Sequence, residues 1–105
     1  MEKLYVVVRS DLSPGQQAIQ AGHALAEFLF IYPDLAKNWH DRSNYLAYLA
    51  VPDEAALSTL LAQASFFQFR SVAFFEPDLG GSMTALAIEP AGWAIVRRLP
   101  LILEK

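Results

Sequence analysis

The chain has 105 residues, no cysteine, 54% hydrophobic and 18% charged residues, and a formal charge of −3. Without cysteine there is no disulfide framework, Cys-ligated zinc, iron–sulfur cluster or thiol nucleophile. The acidic balance argues against binding a polyanion by bulk charge, because neutralising phosphates takes clustered cations.

The expectation is one unit over residues 1–105, since no repeat, low-complexity tract or linker breaks the pattern. Its apolar runs (Leu4 to Val8, Phe28 to Tyr32, Tyr45 to Val51, and Leu99 to Leu103) fall well short of the roughly 18–20 residues that cross a bilayer. Met1-Glu2-Lys3-Leu4 runs into a strand-like segment without a signal-peptide pattern, so the protein is expected to be soluble and cytoplasmic. The apolar excess points to surface covered by a second copy, with Phe66-Phe67-Gln68-Phe69 and the Leu99–Leu103 tail as the expected homodimer face.

Leu4 to Arg9 is β-branched and almost continuously apolar, as a strand covered on both faces must be. Ser13-Pro14-Gly15-Gln16 then opens a helix: Ser13 caps, Pro14 suits the first turn, and Gln16 completes a reciprocal capping pair. Pro33 ends that helix near Ile31. Pro33 to Asp41 reads as a shorter helix or turn, with Trp39-His40-Asp41-Arg42 a surface connection, and Tyr45 to Val51 as a second strand. Pro52-Asp53-Glu54 starts a helix to about Ala64, its acidic residues favoured by the macrodipole. Arg70 to Phe75 is a third strand, Glu76 to Ser82 a turn, Met83 to Glu89 a fourth strand, and Pro90 to Arg98 a short closing helix. This order predicts an α/β fold, with one antiparallel strand pair at its end.

In the first helix, Gln16, Gln20, His23 and Glu27 recur at spacings of 4, 3 and 4 and share a narrow stripe. The stripe reads either as a solvated face or as a polar ledge where His23 carries or donates a proton. Gly22 beside it suggests close packing against the sheet. The second polar locus is Glu76-Pro77-Asp78-Leu79-Gly80-Gly81-Ser82-Met83-Thr84, a glycine turn carrying more polar groups than a plain hairpin needs. It lacks the Gly-Lys-Ser/Thr of a P-loop. Two histidines without ligand spacing give no metal site, no Gly-x-Ser-x-Gly elbow marks a serine hydrolase, and no cofactor is implied. Arg97 and Arg98 close the last predicted helix, where they complement its dipole or contact a phosphate backbone.

The run from Leu4 through Val7-Val8-Arg9-Ser10-Asp11-Leu12 to Gly15-Gln16-Gln17-Ala18-Ile19-Gln20-Ala21-Gly22-His23-Ala24 resembles the opening of the type 2 peptidyl-tRNA hydrolases. Thr84-Ala85-Leu86-Ala87-Ile88-Glu89-Pro90 is similar to that family's last strand. The resemblance implies a three-layer α/β/α sandwich around a four-stranded mixed sheet, often dimeric. It also implies metal-independent hydrolysis of the ester between a peptide, or an aminoacyl group, and tRNA. By resemblance Asp78 orients or activates water, Thr84 and Gln20 hold the ester and sugar end, and His23 keeps its helix position. Glu76 competes with Asp78 for the carboxylate role, and Gln16 and Ser82 complete the expected substrate-binding set. The partner so implied is peptidyl-tRNA, met at the tRNA 3′ end.

The chain departs from the family pattern at two places. Gln16 stands where the family has a lysine, and the loop from Asp78 to Thr84 is short, as in a divergent branch. A non-catalytic binding module or a dimeric structural protein on the same fold is the alternative.

Overall fold

Five buried residues, Leu4 to Val8, make the first strand a central one, and the layers are built around it. The computed structural model describes residues 2–104; Met1, part of the N-terminal reading above, and Lys105 lie outside them. Strands β1 (Lys3–Arg9), β2 (Tyr45–Val51), β3 (Ser71–Glu76) and β4 (Ser82–Ile88) form one sheet in the order β2-β1-β4-β3. β1 runs parallel to β2, and β4 is antiparallel to both β1 and β3. The expected antiparallel pair is therefore two pairings, because β4 inserts between β1 and β3 rather than adding at the edge.

Alternation along the strands divides the core. Leu4, Val6 and Val8 of β1 meet Ala21, Ala24 and Phe28 of helix α1 (Pro14–Ile31) and Trp39 of helix α2 (Pro33–Arg42). Tyr5 and Val7 face the opposite way, onto Leu57 and Leu60 of helix α3 (Glu54–Phe66) and Val96 of the single-turn helix α4 (Trp93–Val96). The sheet thus lies between two helical layers, as the resemblance implied. Alanines 21 and 24 are wholly buried, so small side chains let α1 lie close on β3 and β4.

Local chemistry sets the element boundaries. Ser13 Oγ accepts the Gln16 N–H at 3.3 Å, and Asp53 caps α3 by accepting the Ala56 N–H at 2.9 Å. The reciprocal half of the α1 capping pair does not form, because the Gln16 carboxamide turns toward Gln20 instead. Trp39 to Arg42 is the last turn of α2 rather than a connection, with the buried Trp39 donating to the Tyr45 carbonyl at 2.6 Å. The closing helix is shorter than expected, a 3-10 turn at Pro90–Gly92 followed by α4. Gly22 packs against nothing: a Cβ there would meet open space. The close approach belongs to Gly92, where a Cβ would collide with Ile88 Cγ2.

The C-terminal tail covers the outer edge of β2. Ala50 N–H donates to the Pro100 carbonyl at 2.9 Å and Ile102 N–H to the Tyr48 carbonyl at 3.0 Å. Edge groups that would otherwise be open to pairing are thereby satisfied within the chain. No helix among the described residues is long and apolar enough to cross a membrane.

Candidate active site

The site forms where the first half of α1 crosses the end of β3 and the start of β4. Its geometry depends on an irregularity in the sheet. Phe74 pairs with Ala85 but Phe75 pairs with Met83, so Thr84 is the extra residue of a β-bulge. Regular alternation would put Met83 and Ala85 on one face. Instead Met83 packs in the α3-side core and Ala85 in the α1-side core. The bulge turns Thr84 toward α1.

There Thr84 Oγ1 donates to Gln20 Oε1 at 2.7 Å, with both residues wholly buried. Gln20 Nε2 donates to Gln16 Oε1 and to Glu76 Oε1, each at 3.0 Å. An ionised carboxylate can only accept, so Glu76 fixes which end of the Gln20 amide faces it. The carbonyl end is then left for the threonine hydroxyl. The hydrogen bonds run in one direction, from Thr84 through Gln20 to Gln16 and Glu76. Both Gln20 donors are engaged, whereas one Glu76 oxygen and the Gln16 Nε2 amide make no hydrogen bond among the described residues.

One turn further along α1, His23 lies flat on Phe74, ring centroids 4.4 Å apart and planes within 6°. The residue is exposed, on the solvent side of Phe74. Alternation puts Phe74 and Glu76 on the same face of β3. The stripe is therefore not a wet helix face along its length. Gln20 is core, Gln16 is half-buried, and only His23 and Glu27 are exposed.

Asp78 and Ser82 occupy the connection beyond β3. Asp78 sits exposed in the 3-10 turn Pro77–Leu79, and its carboxylate accepts no hydrogen bond among the described residues. Gly80 and Gly81 take φ of 69° and 74°, the left-handed geometry that lets so short a loop return into β4. Ser82 Oγ donates to the Leu79 carbonyl at 2.9 Å, which ties the turn to itself.

Three further residues support this region. Arg9 holds Asp11 through Nε–Oδ1 at 2.9 Å and Nη2–Oδ2 at 3.0 Å, and donates from Nη1 to the Met83 carbonyl at 3.3 Å. Those hydrogen bonds hold the Asp11 carboxyl below its ordinary value and push the Arg9 guanidinium up. Glu54 Oε2 accepts the Met83 N–H at 2.7 Å. Gln17, buried beside the site, donates to the Ser10 and Leu12 carbonyls at 3.3 and 2.8 Å and pins the turn into α1. Glu54, Phe74 and Gln17 carried no site signal in the sequence, because their contacts depend on the bulge and on how α1 crosses the sheet. Among the described residues, no three His, Asp or Glu side chains gather as metal ligands would.

Elsewhere, Arg97 stacks over the Trp93 ring at 5.3 Å, on the α3-side layer away from α1. A search of curated proteins returns no match. The family model for Peptidyl-tRNA hydrolase PTH2 matches residues 2–100, and with nearly its whole length so matched the chain belongs to that family.

Proposed function

We propose that this protein hydrolyses the ester joining a peptide, or an aminoacyl group, to the 3′ end of tRNA. The carrying observation is the hydrogen-bonded run from buried Thr84 through Gln20 to Glu76, in a chain of the peptidyl-tRNA hydrolase family. An ester needs an activated water and a donor aimed at the oxygen where charge develops. In this reading the second Glu76 oxygen takes a proton from water as the water oxygen attacks the ester carbon. The Gln16 amide donates to the developing oxyanion. Collapse breaks the bond to the ribose oxygen, which leaves with the proton from Glu76, and the peptide is released as its acid. His23, backed by Phe74, contacts the sugar or the leaving oxygen.

Thr84 and Gln20 are positioning residues here, since their donors are engaged with protein groups. Two carboxylates stand at the end of β3. Glu76 is favoured because Gln20 orients it, while Asp78 lies on the turn without a hydrogen-bond partner among the described residues. Purified protein and an N-blocked aminoacyl-tRNA test the proposal. Glu76→Gln should lose the roughly 10²–10⁴-fold that a positioned general base contributes, with Asp78→Asn changing the rate much less. Collapse on Asp78→Asn alone would move the base to Asp78. No turnover beside an active family member would defeat the hydrolase reading.

Two observations favour a second reading, a binding module for the tRNA end. The lysine position holds neutral Gln16, and both Gln20 donors are occupied within the protein. Saturable binding without turnover would mark it. We further propose that the protein acts in the cytoplasm as a homodimer. Phe66 and Phe67, 80% and 54% exposed, support the pairing, and light scattering on dilute protein tests it.

A further inference from the structure

We infer that Glu54 is a positioning residue for the site, acting on it through the backbone of the β4 bulge. It stands at the first position of α3, on the opposite side of the sheet from Gln20 and His23. A charge there complements the helix dipole, which is all that its place in the sequence suggests. Its carboxylate, however, is directed to the bulge: Oε2 accepts the Met83 N–H at 2.7 Å. The Met83 carbonyl is held from the same side, by Arg9 Nη1 at 3.3 Å. Met83 is 6% exposed, so neither of its peptide groups could turn to bulk water.

Met83 adjoins the bulge and lies beyond Val8–Ala85, the last pair of the β1–β4 ladder, so β1 offers its peptide groups no register partner. Glu54 and Arg9 supply partners for its N–H and its carbonyl. They hold the register in which Met83 faces α3 and Thr84 faces α1. Were β4 to slip back to regular alternation, Thr84 would point away from Gln20. Gln20 Oε1 would then lose its donor, and the orientation of Glu76 would loosen with it. Glu54 thus sets the direction of Thr84 from across the sheet without touching substrate.

Two substitutions separate this role from helix stabilisation. Glu54→Gln keeps an acceptor at the same reach and loses the charge. Glu54→Asp keeps the charge and, one methylene shorter, loses the reach. If Glu54 served only the helix dipole, the Gln variant would be the poorer protein. As a positioning residue it makes the Asp variant the poorer site.

The first readout is the Gln20 side-chain amide in the NMR spectrum, whose protons are slowly exchanging when held by Gln16 and Glu76. Wild type and Glu54→Gln should protect them, and Glu54→Asp should lose at least tenfold in protection. The second readout is ester hydrolysis: kcat should fall about tenfold in Glu54→Asp with KM within twofold, and Glu54→Gln should stay within threefold of wild type in both. Protection and kcat preserved in Glu54→Asp, or lost more in Glu54→Gln, would overturn the inference. It rests on the proposed hydrolase only for the second readout. An inactive wild type would defeat that proposal and leave the amide protection to decide this one.

Discussion

Thr84→Val tests the centre of the site with the smallest change in shape. Valine replaces the hydroxyl with a methyl group and keeps the branched outline, so the bulge and its packing stay in place. What disappears is the 2.7 Å hydrogen bond to Gln20 Oε1, at a position with no solvent access. Gln20 cannot compensate by rotating its amide. Its nitrogen end donates to Gln16 and Glu76, and turning it would set two acceptors, its own oxygen and the carboxylate, against each other. A buried acceptor stripped of its donor costs about 1–3 kcal/mol. The additional buried methyl returns roughly 0.8 kcal/mol. The net loss is about 0.2–2 kcal/mol, which in a domain of this size lowers Tm by about 1–15 °C.

Urea melts of wild type, Thr84→Val, Gln20→Leu and the double variant measure it as a cycle. In the Gln20→Leu background the Thr84 hydroxyl has already lost Gln20, so Thr84→Val should stabilise there, by about the 0.8 kcal/mol of the buried methyl or more. The methyl gain cancels between the two backgrounds, so a coupling energy of about 1–3 kcal/mol is expected, within the range for residues in direct contact. A Thr84→Val cost equal in the two backgrounds would refute the reasoning, because it would mean that the hydroxyl does not serve Gln20. A Thr84→Val that stabilises wild type would do the same.

The remaining predictions concern the supports. Gly22→Ala should stabilise by about 0.5–1 kcal/mol, since α1 carries a glycine at an exposed position where a Cβ meets nothing; a destabilised variant in thermal melts would contradict it. For Asp11, the Arg9 hydrogen bonds depress the folded pKa below 3.8, so the stabilisation is complete above that unfolded value and disappears as pH falls through the folded one. Asp11→Asn should therefore be less stable than wild type at neutral pH, with the gap closing only below pH 3.8. Melts that keep the same gap into the acid range would contradict it.

The fold was legible because its signals are local. The unbroken apolar run from Leu4, the Ser13 cap and the Asp53-Glu54 start each specify their own element. What stayed hidden is non-local. Nothing in Ser82-Met83-Thr84-Ala85 marks the bulge, because strand residues announce facing by alternation, and a bulge is a break in alternation that only the partner strand reveals. The reciprocal capping pair failed for the same reason. Gln16 had a local partner in the Ser13 N–H and a distant one in Gln20, and only the folded arrangement decides between them.

The Gln16-Gln20-His23-Glu27 stripe shows how one spacing can carry different fates. By period alone the side chains are equivalent, yet Gln20 is core, His23 lies on Phe74 in the open, and Glu27 is exposed. The difference arises from the sheet beneath. α1 crosses β4 where the bulge aims a hydroxyl upward, and a fully buried glutamine is tolerable only at that crossing, where three polar partners meet it. A leucine at position 20 would strand Thr84 instead. The polar residue in the helix and the irregularity in the strand each make sense only with the other. Glu76 gives the pair its direction, since an acceptor-only carboxylate orders the amide and the amide orders the hydroxyl. Removing the Glu76 acceptor removes that order at its source, so Glu76→Leu should lose the slow exchange of the Gln20 side-chain amide together with the base. Glu76→Gln, which keeps an acceptor oxygen, should lose the base and retain the amide protection.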